Sequence, residues 1–471
     1  MTGSPGSGAR AGAGAGARRR RLVVVADSDS YVKWGAAFAS RMPDGWDAEL
    51  VLVTTPVLPS ERQLAAALDG SVFAPADVRT LALDSLAGRL AARRPDAVLL
   101  ALRGPLVRVV APVVGALADR PVIVSGFPGL TIPAEPKAIV YREQVDLIVL
   151  HSRREVREFE ANAVALGVPM RFGLATLPFL SRERARVAVG ARSMGGADAT
   201  APALHDGAGF AGVDEPGREV AAGDLVFAAQ AKVPADRDDR VRMLGWLVEA
   251  ARRRPSRRVV VKVRARRGEA QTHAEAHDYA DLLADPEVRA RFGGSLPPNL
   301  LVLDGPMAAH LEDASMLVTV SSTAVLEAVA LGLPAVVVDE FGVSPKLINT
   351  VFDGSGMLAG ADAVTGWAPR HAEPGWLDDN YFHGEDADDW AEGLDGLLRL
   401  REAGPLPFAR RRYNLTGGAL RRAFERKRML GHHDRSLAGA VSMAVAIPSR
   451  WVVRRVRAVQ RRLSAVEERP T

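Results

Sequence analysis

The sequence predicts an α/β protein in which two Rossmann-like, doubly wound parallel-sheet domains face a cleft. Short β-branched runs alternate with helix-length segments, a pattern typical of parallel sheets covered on both faces. The alternation stops over residues 185–223 and then restarts, which indicates two units. The chain is also long enough for two buried cores, because it has 471 residues of which 48% are hydrophobic.

The composition excludes several kinds of site. The chain has no Cys, so disulfides and Cys-based zinc sites are excluded, and His and carboxylates are the metal-ligating side chains that remain. No spacing of these residues completes a metal site, and we predict neither a metal nor another cofactor. The net charge of +5 is concentrated at the two ends of the chain. The body between them is acidic, and we therefore expect no nucleic-acid partner.

The first half of the chain predicts a leader and one domain. Residues 1–21 are rich in Gly, Ala and Arg, which indicates a disordered basic leader. Residues 22–184 form the N-terminal Rossmann-like domain. Its apolar, β-branched runs predict strands at residues 22–26, 48–53, 97–102, 122–125 and 145–150.

Two helices of this domain are clearly signalled. Trp34, Phe38 and Met42 recur at four-residue spacing after the first strand and predict one buried helix face. Ser152 and Glu155 have the spacing of a capping box, which predicts a helix beginning directly after the fifth strand.

The second half repeats the organisation after an interruption. Residues 185–223 are dominated by Gly, Ala, Asp and Pro and predict a flexible linker or insertion. Residues 224–405 form the C-terminal Rossmann-like domain, and residues 406–471 form a basic helical tail. The predicted strands of the second domain are residues 225–229, 259–263, 300–303, 317–320 and 335–338.

The segment at 317–334, LVTVSSTAVLEAVALGLP, is the most specific in the chain. A strand ends in Ser321, Ser322 and Thr323, and a helix is predicted to begin at once. Such a start leaves backbone N–H groups and the positive end of the helix dipole pointing toward the cleft, where they suit a phosphate. Glu327 lies one turn further on, within reach of a sugar hydroxyl. An ordinary Ser N-cap on a core helix is the alternative.

This segment resembles the donor-domain signature of GT-B glycosyltransferases, non-hydrolysing sugar-nucleotide epimerases and capsule or polyglycerol-phosphate polymerases. The resemblance implies a GT-B-like fold in which Ser321, Ser322 and Thr323 hold a nucleotide diphosphate and Glu327 binds a ribose or sugar hydroxyl. Residues 22–360 are also similar to an uncharacterised actinobacterial family whose members are labelled glycosyltransferases. The stretches that carry this similarity are SGFPG at 125–129, VKVR at 261–264, GEAQTH at 268–273 and FGVS at 341–344.

A second candidate site is a group of cations at the carboxyl end of the strand at 259–263. Lys262, Arg264 and Arg266 are placed to neutralise a diphosphate leaving group without a metal. Capsule-type transferases have Lys-x-His-Pro at a comparable point, and here Arg264 stands in place of the His. His273 follows as a candidate acid, and Lys232 is similarly placed after the preceding strand. A solvated basic loop is the alternative interpretation.

Asp27 and Asp29 come directly after the first strand and leave several interpretations open. Either carboxylate could orient or deprotonate an acceptor hydroxyl. The Asp-x-Asp pair also resembles the metal-binding pair of GT-A transferases and the nucleophile motif of haloacid-dehalogenase-type phosphatases, where Asp27 would attack phosphate. A turn that caps the following helix is the alternative without chemistry. His151, after the fifth strand, is a further candidate base, or a polar residue that ends the strand.

The tail carries a basic amphipathic pattern. Apolar residues recur at helical spacing over 452–466, and Arg residues cover the other faces. Such a helix suits an anionic membrane surface or packs against the acidic body of its own chain.

The sequence therefore predicts an enzyme that moves a sugar from a nucleotide donor, held by the C-terminal domain, to a hydroxyl acceptor held by the N-terminal one. The acceptor is expected to be a glycan or a lipid-linked molecule of the cell envelope. The location is expected to be cytoplasmic, with peripheral membrane contact. A phosphatase using Asp27 and a non-catalytic nucleotide-sugar-binding protein are the alternatives.

Overall fold

Two parallel sheets organise the chain, as predicted. A computed structural model describes residues 18–178, 180, 223–263, 275–411 and 418–445. The first sheet has seven strands in the order β3-β2-β1-β4-β5-β6-β7, and the second has six in the order β10-β9-β8-β11-β12-β13. All the strand pairs described are parallel.

The strands of the first sheet are β1 Arg20–Ala26, β2 Trp46–Val53, β3 Arg79–Leu81, β4 Ala97–Ala101, β5 Val122–Gly126, β6 Leu147–Leu150 and β7 Phe172–Leu174. The strands of the second sheet are β8 Asp224–Ala228, β9 Val259–Lys262, β10 Leu300–Leu303, β11 Ala314–Thr319, β12 Ala335–Val338 and β13 Leu358–Ala359. All ten predicted strands are present. Three short strands, β3, β7 and β13, were not predicted.

Helices cover both faces of each sheet. Those before the second sheet are α1 Asp29–Ala39, α2 Glu61–Leu68, α3 Leu83–Arg93, α4 Gly104–Gly115, α5 Pro136–Arg142 and α6 Arg153–Leu166. Those that follow its first strand are α7 Arg237–Arg253, α8 Tyr279–Ala284, α9 Pro286–Arg291, α10 Met307–Glu312, α11 Ala324–Ala330, α12 Ala361–Thr365, α13 Pro374–Asp379, α14 Trp390–Ala403 and α15 Ala419–Leu430.

The helix signal at Ser152 is confirmed, and the one at Trp34 and Phe38 is confirmed as far as Ala39, where α1 ends before Met42. Trp34 and Phe38 are buried on α1 against the first sheet. Ser152 caps α6 by accepting a hydrogen bond from the backbone N–H of Glu155 at 2.9 Å. The Glu155 carboxylate bonds the backbone N–H of His151 at 2.8 Å, so the return half of the predicted capping box falls one residue earlier.

The predicted boundary of the second domain at residue 405 is wrong in one respect. Helix α14 belongs to the core of the first sheet, where Trp390, Leu394 and Leu397 are buried. The ring of Trp390 lies 4.5 Å from that of Phe38 between centroids. The chain therefore returns to the first domain after completing the second sheet.

The tail begins as part of the same domain. Leu430, at the end of α15, is buried in a cluster that includes β1 and β4. Arg426 pairs with Asp84 of α3 at 2.7 Å. The predicted amphipathic segment at 452–466 lies outside the described residues, as do residues 1–17 of the predicted leader and residues 185–222 of the predicted linker. Within the part of the chain that is described, no helix is long and apolar enough to cross a membrane.

Candidate functional site

The strand order of each sheet reverses at one point, where open α/β sheets form a ligand crevice beyond the carboxyl ends of the strands. In the first sheet this switch point lies between β1 and β4, and in the second between β8 and β11. Asp27 and Arg103 follow the strands at the first switch point. Gln230 and Ser321 follow the strands at the second. The most specific predicted segment thus stands where topology alone places a binding crevice.

At the second switch point, side chains form hydrogen bonds with the predicted helix start. The carboxamide of Gln230 accepts the N–H of Ser321 at 2.9 Å and donates to its Oγ at 3.0 Å. The N–H of Ser322 donates to Thr319 Oγ1 at 3.3 Å, and the Oγ of Ser322 accepts from the N–H of Ala324 at 3.2 Å. The prediction that these N–H groups are free for a phosphate is therefore wrong for Ser321 and Ser322.

The helix itself begins directly after Thr323, as predicted. Thr323 is the N-cap of α11, which has seven residues, and its side chain makes no capping hydrogen bond. Ser322 and Thr323 are partly exposed, whereas Ser321 is buried. Ser322 and Thr323 are therefore the residues of this turn that a ligand can reach.

Two of the predicted cations are described. Lys262 ends β9, which pairs with β8, so it lies two strands from Ser321 at the same edge, about 10 Å away. Lys232 is exposed in the loop after β8. Arg264, Arg266 and His273 lie outside the described residues.

A buried arginine that was not predicted shapes the loop carrying Lys232. Arg240 donates to the carbonyls of Gln230, Ala231 and Pro234 at 2.8 Å each. It also pairs with Glu275 and is 1% exposed. Because one planar group fixes three carbonyls, the loop is held in one conformation at the crevice. Its position in the amphipathic pattern of α7 gave no signal of this role.

The first switch point contains an ion pair. Arg103 Nε donates to Asp27 Oδ2 at 2.7 Å, and the carboxylate has no exposed surface. Burial raises the pKa of Asp27, against the opposing effect of Arg103. A sealed, paired carboxylate does not fit the nucleophile of a phosphatase. Asp29 lies partly exposed in the first turn of α1, which has Ser28 as its N-cap.

A second buried cation lies beside this pair. Arg142 is 1% exposed, donates to Ser125 Oγ and the Gly126 carbonyl at 3.2 Å each, and stacks over Phe127 with 4.0 Å between Cζ and the ring centroid. Burial lowers the pKa of Arg142, although arginine stays charged in proteins. The groups that accept its hydrogen bonds are neutral hydroxyls and carbonyls, so the positive charge favours an anionic or electron-rich ligand above the strands.

Contrary to the prediction, His151 does not face the cleft. Its ring is fully buried, with Nε2 accepting from Trp34 Nε1 at 2.7 Å and Nδ1 bonded to the Ala175 carbonyl at 2.7 Å. Burial lowers its pKa to about 4. In the neutral ring, the Nε2 lone pair accepts the hydrogen bond from Trp34. It therefore cannot also accept a proton from an acceptor hydroxyl. In this arrangement His151 is a core residue and not a base.

The two domains contact each other beside their switch points. Lys33 of α1 contacts Glu327 of α11 with 3.1 Å between Nζ and Oε1. Glu327 is largely buried, with 10% of its side chain exposed, so this lysine supplies the charge that a buried carboxylate needs. Thr323 packs so closely on Gly129 that a Cβ at position 129 would lie 2.6 Å from Thr323 Cγ2. The predicted donor segment therefore rests directly on the first domain.

Neither cross-cleft partner could be recognised from the sequence, because Lys33 and Gly129 are separated from Glu327 and Thr323 by almost two hundred residues or more. Among the described residues, no three His, Asp or Glu side chains form a group able to hold a metal ion.

Comparison with known proteins gives a family. A family model described as "Putative glycosyltransferase (DUF6716)" matches residues 22–397. No curated protein matches the sequence. Among solved structures, the chain is similar to a UDP-GlcNAc 2-epimerase from Methanocaldococcus jannaschii, with 11% identity, a TM-score of 0.47 and coverage of 82% of this chain and 100% of that one. It is also similar to a UDP-glucosyltransferase from Polygonum tinctorium, with 12% identity, a TM-score of 0.43 and coverage of 82% and 95%.

Proposed function

The chain belongs to the DUF6716 family of glycosyltransferases, and from this premise we propose that it transfers a sugar from a nucleotide donor to a hydroxyl acceptor bound in the same cleft. The observation that carries the proposal is the Lys33–Glu327 ion pair, which joins the switch points of two Rossmann-like sheets. A donor at one switch point and an acceptor at the other would meet where this pair stands.

The donor belongs at the second switch point. Ser322 and Thr323 offer hydroxyls to the diphosphate, Ser321 holds the turn through Gln230, and Lys262 supplies positive charge from the same edge. Glu327 accepts a ribose or sugar hydroxyl. Lys232, Arg264 and Arg266 complete the positive charge around the leaving diphosphate, so that the reaction proceeds without a metal.

The acceptor belongs at the first switch point. Asp29 is the base that fits best, because it is partly exposed and begins α1, the helix that also carries Lys33. Asp27 acts through Arg103, which it fixes beside the crevice. His273 stays a proposed acid. We place the acceptor among glycans or lipid-linked molecules of the cell envelope, on the cytoplasmic side of the membrane.

Donor binding tests the proposal directly. The protein is screened by thermal shift against UDP, GDP, CDP, CMP and dTDP, and the nucleotide that stabilises it names the donor class. Glu327→Gln is then titrated with that nucleotide and with its sugar conjugate. We expect the conjugate to lose about tenfold in affinity, because its hydrogen bond to a charged carboxylate becomes a weaker one to a neutral amide, and the bare nucleotide to lose less.

The matched control is Glu249→Gln, which breaks an exposed ion pair with Arg253 on α7. It should leave both affinities unchanged. Equal binding of the sugar nucleotide by the Glu327 variant and the unmodified protein would contradict the donor assignment. Donor binding without turnover across a panel of acceptors would instead support a non-catalytic nucleotide-sugar-binding protein.

A further inference from the structure

The last described segment of the chain, residues 437–445, is a helix whose apolar side chains face outward. Leu437, Val441 and Val445 are 84%, 54% and 59% exposed. Their four-residue spacing places them within an arc of about 80° of one helix face. We call these three residues the apolar stripe. The residues that the helix buries are instead Gly439 and Ser442, so its polarity is inverted relative to a helix of a protein core.

The inverted orientation is fixed by the preceding turn. Asp434 is buried, pairs with Arg426 at 3.3 Å and accepts from the N–H of Ser436 at 3.1 Å. Ser436 in turn accepts from the N–H of Gly439 at 3.1 Å. A Cβ at Gly439 would lie 2.5 Å from Asp434 Oδ2, so only glycine lets the helix approach this closely. The stripe is therefore held outward by specific contacts.

The two-helix segment that carries the stripe has an excess of positive charge. Residues 418–445 contain six Arg and Lys against two Asp and Glu. The cations whose side chains are exposed are Arg421, Arg422, Arg428 and Arg435. Leu420, on the same α15 as three of them, is 55% exposed. Of these cations, Arg421 pairs with Glu425 at 3.0 Å. Exposed apolar side chains together with an excess of positive charge are the features that recognise an anionic lipid surface.

We propose that the apolar stripe inserts into the headgroup region of an anionic membrane, while the arginines of residues 421–435 contact its phosphates. This surface is built from folded residues that rest on the first domain through Arg426 and Leu430. It would therefore fix the orientation of the cleft relative to the membrane, unlike a tether through the tail.

Vesicle binding of the full chain tests the proposal. Vesicles of phosphatidylcholine alone and of phosphatidylcholine with phosphatidylglycerol in equal parts are sedimented with the protein. We expect binding to the anionic vesicles only, weakened by salt. Leu437→Gln combined with Val441→Asn should reduce it about tenfold or more, since two apolar side chains no longer leave water. Val164→Asn, which changes an 80% exposed residue of α6, is the matched control and should have no effect.

The absence of Cys allows a direct second measurement. Val441→Cys is labelled with an environment-sensitive fluorophore, and Val164→Cys is labelled in the same way. A blue shift at position 441 on anionic vesicles, with none at position 164, supports insertion of the stripe. Unchanged vesicle binding by the double variant, or an unshifted label at 441, overturns the proposal. Loss of a dimer by the double variant in light scattering without vesicles also overturns it, because the stripe would then cover a second copy of the chain.

Discussion

The buried ring of His151 makes the stability of the first domain depend on pH. Both of its nitrogens are bonded in the neutral form, and burial lowers its pKa from 6.5 to about 4. The unfolded chain therefore binds a proton between these values that the folded chain does not, so the stabilisation is complete above pH 6.5 and is lost as the pH falls. By this linkage, His151 lowers the free energy of unfolding by about 2 kcal/mol between about pH 8 and about pH 5, and by about 3 kcal/mol in total at still lower pH.

Urea unfolding at these two pH values measures the effect. Burial raises the pKa of Asp27 and Glu155, and their protonation stabilises the folded state as the pH falls, which opposes His151. The comparison is therefore with His151→Gln, which keeps a polar side chain that does not titrate, and with His310→Gln in the second domain as a control. Over this range, the free energy of unfolding of the unmodified chain and of the control should fall by about 2 kcal/mol more than that of His151→Gln. An identical pH dependence of all three proteins would refute the neutral, doubly bonded ring.

Two further predictions concern contacts between the domains, and a third concerns the packing of α14 on the first sheet. Gly129→Val should lower the melting temperature by forcing Cβ against Thr323, and a second change, Thr323→Ala, should restore most of it; failure of that rescue would contradict the close packing. Tyr381→Phe removes the hydroxyl that donates to Glu155 at 2.6 Å and should cost about 1–2 kcal/mol of unfolding free energy, measured in urea, whereas no loss would mean that the carboxylate is satisfied without it. Trp390→Ala should cost about 3–5 kcal/mol and expose first-domain amides to hydrogen exchange; exchange confined to the second domain would contradict the position of α14.

The strands could be predicted because a parallel strand buried on both faces must be apolar along its whole length. β1 and β4 are buried throughout their cores, and their β-branched residues identify them without any knowledge of partners. β3, β7 and β13 have three, three and two residues and lie at or next to sheet edges, so they carry no periodic signal.

The sequence could predict which residues lie at the strand ends of the candidate site, but not their partners. Ser321, Lys262 and Asp27 could be predicted because each lies at or just beyond the carboxyl end of a strand, and parallel topology brings such residues to one edge. What each side chain does there depends on its partner. Asp27 is sealed by Arg103, and Ser321 is bonded by Gln230 from a strand ninety-one residues earlier.

The placement of α14 bears on how the cleft can open. The apolar face of a helix can pack against either sheet. The sequence pattern of α14 therefore could not show that this helix returns to the first sheet. Asp389, directly before α14, accepts a hydrogen bond from the backbone N–H of Leu174 at 2.6 Å. The chain therefore contacts the first domain as soon as it leaves the second. A rotation of the domains about this crossing would separate the Lys33–Glu327 pair at the carboxyl edge. A bound sugar nucleotide that takes the Glu327 carboxylate would compete with Lys33 for it, which couples donor binding to the relative position of the domains.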